Sequence, residues 1–130
     1  MIPTVILFYS APGQEQDLLE IKGKFLQLTW HGREYLIFAH FELHGYHNQI
    51  LAHFLEDYAI PHCWVTKETL EVYEPELIVI GGGRFRVDTE HGTLVLWDDS
   101  QAYGRFDERG LPDKIATASH EWSGFQVNIQ

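Results

Sequence analysis

The chain has 130 residues, the length of one domain, and its 45% hydrophobic and 14% aromatic content can build a core without staples. Its 9 basic and 19 acidic side chains give a formal net charge of −10, and Lys22, Lys24, Arg33, Arg84, Arg86 and Arg105 are too dispersed to form a basic patch. That balance argues against nucleic acid as a partner and leaves room for a small anion held by local backbone N–H groups.

The single cysteine, Cys63, excludes an internal disulfide and fits a reducing, cytoplasmic compartment. It lies in the apolar run Cys63-Trp64-Val65 and reads as a buried core thiol. No apolar run is long enough to cross a bilayer, and the first residues lack a basic region and a cleavage pattern.

In chain order, residues 4–9 are a continuous apolar, β-branched run and predict a buried strand. Residues 10–13, Ser-Ala-Pro-Gly, break it, and 15–21 read as one helical turn or a loop. Residues 25–30 alternate, His31-Gly32 supplies a tight turn, and 34–41 are again strand-like, so the segment predicts a hairpin. Tyr46, Ile50 and Phe54 recur at helical spacing, and Leu51, Leu55 and Tyr58 widen the stripe, which predicts a helix over 46–58. Residues 62–65 suit a short strand and 66–74 a polar excursion. A buried strand over 77–80 runs into Gly81-Gly82-Gly83. Residues 84–88 and 93–97 alternate around Glu90-His91-Gly92, a second hairpin with His91 in its turn. After the turn-rich stretch 98–110, Pro112 opens a helix expected over 112–122, with His120 exposed on it and Gly124 closing it. Residues 125–129 alternate as a last strand. The expected architecture is a single α/β domain of α+β type over residues 1–130. It has a mixed sheet of about six or seven strands and two main helices packed on it.

Three segments are candidates for chemistry. Gly81-Gly82-Gly83-Arg84 allows close backbone approach or positive φ, and equally suits a bulge or strand crossing. Asp99-Ser100-Gln101-Ala102-Tyr103-Gly104 could aim successive N–H groups at phosphate oxygens, or could be a plain connection. His47 lies in the first helical turn, where the helix dipole disfavours the imidazolium and would leave a neutral base near pH 7, or it could be a plain surface or capping histidine. His40, His44, His47 and His53 have poor spacing for zinc and lack a completing ligand, so no metal is expected.

Taken together these segments resemble the Janus/Ocnus phosphohistidine phosphatases. The likeness lies in Tyr46-His47-Asn48-Gln49-Ile50, Gly81–Arg84 with the hairpin after it, and Ser100-Gln101-Ala102-Tyr103-Gly104, in that order and spacing, over about the C-terminal two-thirds of the chain. Ser10-Ala11-Pro12 is a weaker echo. The resemblance implies a catalytic role for His47, as general base or transient phosphoryl acceptor. It implies phosphate contacts from Arg84, Ser100, Gln101 and Ala102, with Asp99 just before them. It implies a phosphohistidine-bearing protein or a small phosphorylated ligand as partner, and no cofactor.

The sequence also departs from the family. Ile2 and Pro3 stand where family members carry a first-strand lysine, and Ala39 stands where they have an arginine. Trp97-Asp98-Asp99 replaces a glycine-containing approach to the serine. Lys22, Lys24 and Arg33, on or beside the additional hairpin, are the candidates to supply the missing cation. Three readings follow: an active phosphatase, a non-catalytic relative that binds a phosphorylated or anionic partner, and a hydrolase of another substrate in which Asp98, Asp99 and His47 converge.

Overall fold

A computed structural model describes residues 2–10 and 19–130, so the expected break at 11–13 and the turn or loop over 15–18 lie outside the described residues. Among the described residues, six strands form one sheet in the order β1-β3-β2-β6-β7-β8. They are β1 (Thr4–Tyr9), β2 (Glu20–Trp30), β3 (Arg33–His40), β6 (Ile78–Asp88), β7 (Thr93–Trp97) and β8 (Gln126–Ile129). The sheet is mixed, as expected: β1 is parallel to β3 and β8 to β7, and the pairs between are antiparallel. A separate two-stranded sheet joins β4 (His62–Trp64) to β5 (Leu70–Val72). The helices are α1 (His47–Asp57) and α2 (Leu111–Thr117).

Period-2 alternation splits the core into two layers. Phe25, Phe38 and Phe85 face α2, where Leu111, Ile115 and Trp122 close the cluster. Leu26, Leu28, Ile37 and Ala39 face α1, meeting Ile50, Leu51, Phe54 and Leu55. Strand β3, next to the edge strand β1, is buried on both sides, which explains its near-continuous apolar sequence. The hairpin between β2 and β3 turns on His31 and Gly32, at φ 51° and 73°, the left-handed pair that a two-residue turn requires.

Several expectations are corrected. Strand β2 begins at Glu20, so residues 20 and 21 belong to a strand rather than to a helical turn or a loop. Residues 77–80 and 84–88 do not form separate strands; β6 runs unbroken through the three glycines. The polar excursion contains β5, and Cys63, on the small sheet away from the core, is exposed rather than buried. Helix α2 stops at Thr117 instead of reaching 122. His120 Nε2 takes the Ile115 carbonyl at 2.6 Å, and the Thr117 hydroxyl bonds back to Asp113 O at 2.8 Å. These side-chain contacts compete with a continued helical ladder. His120 is therefore half-buried beyond the helix, and Trp122 reaches the core from a turn. Among the described residues no helix is long and apolar enough to cross a membrane.

Candidate functional site

Helix α1 starts where the sequence placed it. Gln49 Oε1 accepts the N–H groups of Gly45 (2.9 Å) and Tyr46 (3.2 Å), tying down the chain as it enters the first turn. His47 follows as the first helical residue and is only 5% exposed. Its Nε2 lies 3.1 Å from the Gly83 carbonyl oxygen. A carbonyl only accepts, so Nε2 carries the hydrogen and Nδ1 keeps the lone pair. Burial holds the imidazole pKa below the usual histidine value. The Gly83 carbonyl opposes that shift and the Lys24 charge adds to it, while the Phe25 carbonyl and Asp98 oppose it again. Burial is thus the main cause.

The glycine run serves close approach. A methyl group on Gly82 would lie 2.6 Å from His47 Cδ2 and 2.7 Å from the Phe25 carbonyl oxygen. One on Gly81 would meet Arg105 O at 2.3 Å, and one on Gly83 would meet Trp97 O at 2.6 Å. A register irregularity between Gln27 and Leu28, opposite the start of the run, marks a bulge there. Both readings of the motif, close approach and bulge, describe this segment.

The turn after β7 closes on itself. The Ser100 N–H donates to Gly104 O at 3.0 Å, and the Gly104 N–H donates to Ser100 O at 2.7 Å. The Tyr103 N–H donates to the Ser100 hydroxyl oxygen at 3.2 Å. Ser100 is 3% exposed, and its own amide is consumed in closing the loop. Gln101 and Ala102, at the exposed tip, have N–H groups with no acceptor among the described residues. Arg105 braces the loop from behind, with Nη1 donating to Asp98 O at 3.0 Å and Nη2 to Gln130 O at 2.8 Å.

These elements enclose one cavity of about 680 Å³. Its wall includes His47, Arg84, Asp99, Ser100, Gln101 and Ala102, the residues to which the resemblance gives a site role, but not Gly81, Gly82, Gly83, Tyr103 or Gly104. Of the three candidate replacement cations only Lys24 lines it. Lys22 pairs with Glu20 at 3.1 Å instead. Lys24 sits directly opposite Arg84 across β2 and β6, on the face that meets α1. Burial and then the Arg84 charge lower the Lys24 pKa, and Asp98 offsets them. Asp98 Oδ2 lies 3.0 Å from Arg84 Nε.

Sequence reasoning missed Asn48 and the β4–β5 tip. Asn48 Nδ2 donates to Glu68 O at 2.7 Å, and Asn48 Oδ1 accepts the Tyr103 hydroxyl hydrogen. One side chain therefore joins α1, the loop and the tip, which brings Trp64, Lys67 and Glu68 to the cavity mouth. Only adjacency to His47 could have drawn attention to it. The four histidines considered for zinc do not converge. His44 Nε2 meets His53 Nδ1 at 2.8 Å, whereas His47 faces Gly83. No family model matches the chain, and no curated protein matches it.

Proposed function

We propose that this cavity is a phosphoryl-group site and that the chain hydrolyses phosphohistidine without a metal ion. The observation that carries the reading is the meeting, in one cavity, of a neutral buried imidazole, two cross-strand cations and two unclaimed backbone amides: His47, Lys24 with Arg84, and Gln101 with Ala102. Amides and cations of this kind stabilise the equatorial oxygens of a transferring phosphoryl group. As general base, His47 Nδ1 takes a proton from water while the water oxygen bonds to phosphorus. The P–N bond breaks, and the leaving imidazole nitrogen takes up a proton. As transient acceptor, Nδ1 bonds to phosphorus as the substrate's P–N bond breaks and its imidazole takes up a proton, and water then cleaves the Nδ1–P bond to release phosphate. Lys24 stands in for the first-strand lysine of the family that the sequence resembles.

The test is phosphate release from a phosphohistidine-labelled protein by the purified chain and by His47→Ala. Release by the first and not by the second supports the reading. Two folded, equally inert proteins overturn it.

One observation favours a second reading, a non-catalytic binder of an anionic partner. The cavity's cations Lys24, Lys67 and Arg84 are matched by Glu68, Asp98 and Asp99, and Asp98 already engages Arg84. Calorimetry separates the two: phosphopeptide binding without turnover supports the binder.

A further inference from the structure

We infer that Asp98 is a resident counter-anion of this cavity, one that a ligand's anionic group must displace and that therefore sets the site's affinity for anions. The inference rests on the phosphoryl-site reading and goes beyond it, because it assigns to Asp98 a role opposed to ligand binding. Lys24 and Arg84 are direct cross-strand neighbours, and like charges in that position repel each other. An anion beside them relieves the repulsion, and the Asp98 carboxylate supplies one, 3.0 Å from Arg84 Nε. The backbone there has φ 71°, a left-handed conformation that a non-glycine residue adopts at a steric cost. Asp98 O is held by Arg105 at 3.0 Å, so the turn stays fixed while the carboxylate can rotate about its side-chain torsions. The pair is also weak enough to exchange. Both side chains are more than a third exposed, at 46% and 41%, where water competes for each. A phosphoryl group held by the Gln101 and Ala102 amides would reach the same guanidinium with several oxygens against the two of Asp98.

The experiment is calorimetric titration of the purified chain with inorganic phosphate, for wild type, Asp98→Asn, Asp98→Gly and Asp99→Asn. Asparagine tolerates the left-handed backbone and keeps the side chain's size, so it isolates the charge. Asp98→Asn and Asp98→Gly are expected to bind phosphate about tenfold more tightly than wild type, and Asp99→Asn less than threefold. Unchanged or weaker binding by Asp98→Asn overturns the inference. So does equal tightening by Asp99→Asn, which would reduce the effect to net charge, and so does an absence of binding in all four proteins. Turnover is measured in parallel. Tightening at Asp98 with no phosphohistidine hydrolysis by wild type overturns the phosphatase reading alone. Turnover by wild type with unchanged affinity in Asp98→Asn overturns this one alone.

Discussion

The Nε2 atom of His47 lies 3.1 Å from the carbonyl oxygen of Gly83, so a strand with no side chain at that point fixes the tautomer of a helix residue. The nitrogen left basic is Nδ1. Replacing His47 with glutamine, which keeps a polar side chain, is expected to lower any phosphohistidine turnover by at least about 100-fold, the ordinary worth of a general base. Its thermal midpoint should move by only a few degrees. Steady-state phosphate release and a thermal melt on the same samples check both halves.

The acid limb of the stability curve should carry a histidine signature. Burial lowers the pKa of His47, and burial followed by the His53 charge lowers that of His44. Both rings bind protons more weakly when folded than when unfolded. Their contribution to stability is complete above the unfolded value of about 6.5 and is lost as pH falls through the folded values. Thermal melts should therefore be flat between about pH 7 and 8 and decline on acidification below 6.5. Asp107, held down to about 2 by its bonds to Arg109, acts only at far lower pH and does not blur this window. Proton NMR titration of the two imidazoles should give midpoints below that of an exposed histidine.

Gly82→Ala should destabilise the fold by about 1–3 kcal/mol, because the added methyl meets the imidazole and the Phe25 carbonyl with little room to yield. Gly45→Ala, where nothing lies within 4 Å, should change stability by less than about 0.5 kcal/mol. Urea denaturation of the two variants gives the comparison.

Lys24→Met should weaken phosphate binding by about tenfold, the loss of one charge-assisted contact. Lys22→Met, whose parent side chain pairs with Glu20 outside the cavity, should leave it within twofold. Equal losses in the two variants would mean that net charge governs the affinity.

Asn48→Ala removes the partner of both Tyr103 and the Glu68 carbonyl. It is expected to cost about 1–2 kcal/mol of stability and to raise KM several-fold with a smaller change in kcat, since the residue positions the loop and does not touch the reacting atoms.

Patterns with a short period were legible in the sequence. Alternation over 93–97 and the stripe Tyr46-Ile50-Phe54 gave β7 and α1 to within a residue or two, and the apolar run at 4–9 gave β1. Features set by tertiary contact were not. The glycine run looks like a strand terminator, yet β6 continues because Gly81, Gly82 and Gly83 sit under other chain segments and not at a turn. The end of α2 depends on where the His120 ring finds an acceptor, which no periodicity encodes. In the site, His47, Arg84 and the loop could be named from motif order. Lys24 emerged as one of three candidates and was selected by strand register, one residue opposite another, which a single sequence does not print. For Asn48 the sequence offers only its place beside His47, because both its partners are distant in the chain.

The glycine run also restricts how this protein can vary. Every amino acid other than glycine carries a β-carbon, and at 81, 82 and 83 that atom would fall within 2.3 to 2.6 Å of a neighbour. No coding change at these three positions is silent in shape, whatever its polarity or size. Drift in this stretch must wait for a compensating shift in β2, in β7 or in the chain around Arg105. The imidazole's seat is thus inherited as a block.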